Sequence, residues 1–208
     1  MSGHTPGPSL LPASITRVLI TGFMGAGKTT VGRLLAERLG WEFADSDLLL
    51  EAQTGQAIAA IFASQGEPAF RDLEAATIRA AVNRSRLVLA LGGGALEKRE
   101  TREMLALLPD SVLIFLDAPL DLLVARCSGQ ANAPVRPVLA DRARLQERWT
   151  VRLPGYRQAH LTVNTAGSSP EQVTETIVHH IVERCPGIAD QGSVSASLPA
   201  ARRTGGPA

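Results

Sequence analysis

The chain has 208 residues, 45% of them hydrophobic, and a formal net charge of +1. That describes one domain of ordinary size with tails and excludes wholesale disorder. The near-neutral balance gives no reason to expect a nucleic-acid or membrane partner, and two cysteines, Cys127 and Cys185, offer neither a disulfide framework nor metal spacing.

Residues 1–15 are rich in Pro, Gly and Ser and read as a flexible N-terminal tail. The opening MSGHTPGPSLLPAS is neither a secretory signal nor a basic transit peptide, so a cytoplasmic location is expected. RVLITGF (17–23), a β-branched run closed by glycine, reads as a buried strand. A helix over 28–39 follows, with Val31, Leu34, Leu35 and Leu39 on one stripe and Gly40 as its stop. WEFAD (41–45) reads as a second strand, after which Asp47 opens a helix. GEPAFRDLEAATIRAAV (66–82) reads as another helix with Pro68 in its first turn.

RLVLALGGG (86–94) is a third strand running into three glycines, and a helix covers about 97–108. SVLIFLDAP (111–119) is a fourth strand, with a helix beginning at 120. CSGQANAPVRPVLAD (127–141) breaks every period and reads as a loop. A helix to Arg157 leads into a fifth strand, HLTVNT (160–165), and the last helix sets Val173, Ile177 and Ile181 at i, i+4, i+8. Its His179 and His180 read as a solvated pair. Residues 186–208 are small, polar and aperiodic and are expected to be a disordered tail. Strands alternating with helices predict an α/β layered domain over 16–185, with a parallel sheet, no internal repeat and no second core.

The stretch GFMGAGKT (22–29) fits Gly-x4-Gly-Lys-Thr in full, with a strand before it and a helix after. Side chains at the glycine positions would keep a polyphosphate away from the backbone amides. The amides of Gly25, Ala26, Gly27, Lys28, Thr29 and Thr30, at a helix N-terminus, suit anionic oxygens, so this loop is the expected nucleoside triphosphate site. Lys28 would neutralise β- and γ-phosphates, and the Thr29 hydroxyl would ligate Mg²⁺ directly. Lys28 is one of two lysines among 21 basic residues, so a chain that otherwise uses arginine keeps the compact ammonium here. A glycine turn that merely packs strand on helix would need neither the lysine nor the threonine.

Such a loop serves kinases, GTPases and motors alike. The Asn-Lys-x-Asp element with which GTPases read their base is missing, and the chain is the size of a small-molecule kinase. In DSD (45–47), one carboxylate can support Mg²⁺ through water while the other accepts a hydroxyl proton. The plain alternative makes Asp47 the N-cap of its helix. FRDLE sets Arg71 and Glu74 at i, i+3, where the bland reading is a surface ion pair. LGGGA places its glycines at the carboxyl edge of the sheet, where ligands of α/β folds bind.

Taken in order, GFMGAGKTTVG, DSD, TG, IF, GE..FR..E, LGGGA and RP resemble the shikimate kinase family over about residues 17–184. The resemblance implies a P-loop nucleoside-monophosphate-kinase-like three-layer fold, a five-stranded parallel sheet flanked by helices, with a mobile lid at about 127–141. It implies transfer of the γ-phosphoryl group of ATP to the 3-hydroxyl of shikimate, with one Mg²⁺ per subunit, in aromatic amino-acid biosynthesis. By the same resemblance Asp45 supports the metal through water, and Asp47 binds the substrate and is the candidate base. Arg71, Gly93 and Arg152 hold shikimate, Glu74 orienting Arg71. The lid arginine, Arg136, reaches the transferring phosphate. Arg126 and the loop from Asn164 to Pro170 match the adenine platform. Any one of Arg126, Arg136 and Arg152 alone would read as a solvated arginine. The lid departs from the family in reading RPVL, and Gly155 stands where leucine is common. The partners implied are ATP and shikimate, with a monomer expected.

Two other readings differ in what they need. A kinase of another polyol acid, such as gluconate, would share the phosphate loop but has no evident use for Arg71, the triple glycine and Arg152 together. A catalytically silent sensor would be expected to lack the Asp-x-Asp pair, which this chain keeps.

Overall fold

The computed structural model describes residues 10–128 and 141–184. Five strands, β1 (Arg17–Thr21), β2 (Glu42–Asp45), β3 (Leu87–Ala90), β4 (Ser111–Asp117) and β5 (Leu161–Asn164), form one wholly parallel sheet in the order β2-β3-β1-β4-β5. All four residues of β3 are buried, as is β1 from Val18 onward, which is why these strands carry unbroken apolar runs.

The helices are α1 (Lys28–Leu39), α2 (Ser46–Thr54), α3 (Ile58–Ala81), α4 (Arg99–Ala106), α5 (Leu120–Ser128), α6 (Arg142–Tyr156) and α7 (Pro170–Arg184). Helix α1 has the bounds its pattern predicts. It stops at Gly40, whose φ of 64° allows the left-handed turn that returns its amide to Ala36 and Glu37. Val31 and Leu35 are buried, while Leu34 and Leu39 of the expected stripe are only half-buried. Gly32 is buried instead, because a Cβ there would stand 2.6 Å from the Phe43 ring. Helix α7 packs beside α1 and buries Val173, Ile177 and Ile181, as their spacing requires. Helix α6 lays Tyr156 on Phe115 of β4, ring centroids 5.2 Å apart.

Four expectations are corrected. Helix α3 begins at Ile58 rather than 66, and breaks at Gly66 (φ 79°, ψ 173°) before Pro68 starts its second half. The early half was hidden because glycine and proline obscure a period that spans them. That half brings Ile61 against Leu50 and Phe70, forming a small second cluster where none was expected. Leu11 is buried in the main core, so the predicted tail to residue 15 contains an anchored apolar residue. Helix α5 runs to Ser128, into the expected 127–141 loop. Residues 129–140 of that loop and the 186–208 tail lie outside the described residues, while Asp141 caps α6.

Candidate active site

Strand β1 delivers the chain into the glycine loop at the carboxyl edge of the sheet. Gly25 has φ 78°, and a Cβ there would sit 2.3 Å from the Leu123 carbonyl oxygen of α5. Gly27, at φ 92°, is the N-cap of α1 and offers no side-chain cap, and the helix has no acid in its first turn. The amides of that turn and the positive helix end therefore face outward for an anion. Lys28 Nζ donates to the carbonyls of Gly22 (2.8 Å) and Phe23 (3.1 Å), so its ammonium lies over the loop.

The Thr29 hydroxyl donates to Asp45 Oδ2 at 2.9 Å, joining the start of α1 to the end of β2. Asp45 also accepts the Asp47 amide at 3.0 Å and is the N-cap of α2. The capping role weighed for Asp47 thus belongs to Asp45, which leaves the Asp47 carboxylate for other work. Among the described residues no group of three or more His, Cys, Asp and Glu forms a metal cage. A cation at the Thr29–Asp45 oxygens would keep mostly phosphate and water ligands, the habit of Mg²⁺.

Asp47 sits at the junction of the two halves of the site. Burial pushes its carboxyl above the usual carboxylate range and the neighbouring Asp45 adds to the rise, while Lys28 and Arg71 oppose it. Glu74 behaves alike: burial raises it, Arg71 pulls it down and Asp47 raises it again. At 3% exposure Glu74 is no surface partner, and the bland reading of the Arg71–Glu74 pair fails on burial.

The three glycines have separate duties. A Cβ on Gly92 would meet Asp47 Oδ1 at 2.5 Å and Glu74 Oε1 at 2.6 Å, and one on Gly94 would meet the Arg71 guanidinium at 2.2 Å. A Cβ on Gly93 would lie 3.5 Å from Arg152 Nη1. The turn is a bare floor on which the acids and arginines lie.

Arg71 donates to Glu74 at 2.8 Å and to Glu67 and Glu97 at 3.0 Å each. Burial works against its charge, but Glu74, Glu97 and Glu67 together hold its pKa above the ordinary value. Arg152 Nε donates to the same Glu97 oxygen at 2.7 Å, and its guanidinium lies over the Phe23 ring at 5.9 Å. The Tyr156 hydroxyl donates to the Gly93 carbonyl, and burial pushes that phenol well up. Arg126 is fastened to Thr165, Nη1 to the hydroxyl at 2.9 Å and Nη2 to the carbonyl at 2.7 Å, which brings α5 to the loop after β5. Arg136 lies outside the described residues.

Glu97 and Tyr156 went unnoticed in the sequence, and Gly92 and Gly94 were read only as members of the triple glycine. The glycines were visible as a run, and Tyr156 stood in RLPGY beside Arg152. Glu97 carries no motif; only folding sets it between two arginines.

A family model described as shikimate kinase matches residues 24–182. A shikimate kinase of Psychrobacter cryohalolentis is 39% identical over 81% of this chain and 90% of its own length. One of Symbiobacterium thermophilum is 41% identical over 80% and 97%. Among solved structures, the shikimate kinase of Acinetobacter baumannii in complex with shikimate superposes with a TM-score of 0.75 at 34% identity, covering 84% of this chain and 97% of that one. A gluconokinase of Sinorhizobium meliloti reaches 0.62 at 18% identity over 82% and 94%, a likeness of fold alone.

Proposed function

The chain belongs to the shikimate kinase family, and on that premise we propose how its residues divide the work of moving the γ-phosphoryl group of ATP to the 3-hydroxyl of shikimate. The amides from Gly25 to Thr30 bind the polyphosphate. Lys28 turns from the loop carbonyls to the β- and γ-phosphates. Thr29 directly, and Asp45 through water, hold one Mg²⁺, which when bound draws charge from the phosphate oxygens. Their two hard oxygens, 2.9 Å apart, suit that ion.

On the acceptor side Arg71, Arg152 and the backbone at Gly93 hold shikimate by its carboxylate and ring, with Glu74 steadying Arg71. Asp47 orients the 3-hydroxyl and takes its proton as the oxygen forms a bond to Pγ and the bond to the ADP oxygen breaks. A carboxylate raised above its usual range is the better acceptor for that proton. Arg136 reaches the transferring phosphoryl group, and Arg126 with the 164–170 loop seats the adenine. Residues 16–185 are the catalytic unit, acting as a monomer in the cytoplasm on these two small molecules, in the route to aromatic amino acids.

One observation carries the proposal: buried Asp47 lies within electrostatic reach of both Lys28 of the phosphate loop and Arg71 of the acceptor side. The test is ADP release from ATP and Mg²⁺ with shikimate, with gluconate and with no acceptor. Release with shikimate alone is expected. Release with gluconate, or none with any acceptor, overturns the assignment.

A further inference from the structure

One oxygen of Glu97 accepts from Arg71 Nη2 at 3.0 Å and from Arg152 Nε at 2.7 Å. These are the guanidiniums assigned to the acceptor's carboxylate, and their side chains are only 12% and 10% exposed. We propose that Glu97 is a built-in mimic of the substrate carboxylate, a latch that closes the acceptor site until shikimate displaces it. The inference rests on the shikimate kinase reading and deepens it.

Charge makes the two occupants exclusive. Arg71 is already paired with the buried Glu74 carboxylate, which leaves the 10%-exposed Arg152 to be matched by another carboxylate where solvent screens poorly. Glu67 also touches Arg71, but its side chain is 56% exposed and screened. In the free protein Glu97 supplies the matching charge, and in the complex the substrate carboxylate does. Holding both would crowd like charges around the same nitrogens.

The latch can open without moving the backbone. The Glu97 amide is tied to the Gly94 carbonyl at 2.9 Å, and its own carbonyl accepts from Arg102 at 2.8 Å, so side-chain rotation suffices. The side chain is 29% exposed and borders a cavity of about 320 Å³ shared with Arg102, Arg152, Gly155 and Gln158. Gly155 contributes no side chain to fill that space, which receives the displaced carboxylate beside Arg102.

A latch closed about 70–90% of the time weakens apparent affinity about 3- to 10-fold, since only the open fraction binds. The test is calorimetric titration of wild type, Glu97→Gln and Glu97→Ala with shikimate and with its methyl ester, which lacks the charge. Shikimate should bind about 3- to 10-fold tighter to both variants, and the ester equally to all three proteins. Unchanged or weaker shikimate binding would make Glu97 a brace for the arginines and overturn the latch, as would an equal gain for the ester. Wild-type turnover of shikimate tests the underlying activity separately, so the two failures are distinguishable.

Discussion

The half of the site proposed for the nucleotide is built from backbone held by the main core, whereas the half proposed for the acceptor is built from side chains on elements that pack partly on the small Leu50–Ile61–Phe70 cluster. In the first, strand β1 ends in the glycine loop and α1 leads away from it, so consecutive residues form the proposed cradle. In the second, Asp47 comes from α2, Arg71 and Glu74 from α3, Arg152 from α6, and the glycine floor from the end of β3. A backbone cradle satisfies an anion at little electrostatic cost in its absence. The side-chain half gathers buried charges that must be balanced even when empty, and raised Asp47 and Glu74 pKa values record that strain.

If the halves are separable in this way, damage to each should show against its own substrate. The largest losses are expected at Lys28 and Asp47, the groups proposed to act on the reacting phosphoryl. Lys28→Ala and Asp47→Asn should each lower kcat by about 10²- to 10⁴-fold while circular dichroism shows an intact fold. Near-normal turnover by either variant would remove that residue from the chemistry.

Next comes Gly94→Ala. A Cβ would land 2.2 Å from the Arg71 guanidinium and must evict it. Losing a charge-assisted contact of roughly 1.5–3 kcal/mol should weaken shikimate binding about 10- to 100-fold, with the dissociation constant of ATP unchanged. Isothermal titration with each ligand checks both halves of the statement. An equal loss for ATP would mean that the glycine floor also supports the phosphate loop and that the division is false. Arg126→Ala is the mirror case and smaller. It frees Thr165 and should raise KM for ATP about 3- to 10-fold, leaving KM for shikimate alone; steady-state kinetics in both substrates will show any crossover.

The same contrast governs what was readable in the chain. The glycine loop, the five strands and α1 follow from local pattern, because contiguous residues make them and apolar period records their burial. Arg71 and Asp47 were visible through short motifs, yet their environment was not. That Glu74 is buried, that Asp45 rather than Asp47 caps α2, and that Glu97 bridges two arginines 81 positions apart are facts of packing. No period encodes them. The kink at Gly66 hid the first half of α3 for a related reason: the turn residues were legible, but the satellite cluster that gives Ile58 and Ile61 their partners exists only after folding.

The smallest effect is on stability, and it has a sign. Asp47 has a folded pKa raised above its ordinary 3.8, mainly by burial, so ionising it costs more in the native state than in the unfolded chain. That penalty is present in full above the folded pKa. It fades as pH falls toward 3.8, where both states take up the proton, so this group's contribution to stability improves on acidification. Asp47→Asn removes the charge and keeps the shape. The variant should melt above wild type near neutral pH, by about 2–4 °C for each kcal/mol relieved in a chain of this size. The gap should narrow as the buffer approaches pH 4, because the wild-type carboxyl is then neutral as well. Differential scanning calorimetry of the pair across that range reads the Asp47 charge together with the relief its loss gives the neighbouring Glu74, which acts in the same direction. A variant that melts lower at neutral pH, or a gap that widens on acidification, would show that ionised Asp47 is stabilised by Lys28 and Arg71 more than burial opposes it. The acceptor half would then be as well balanced when empty as the phosphate loop.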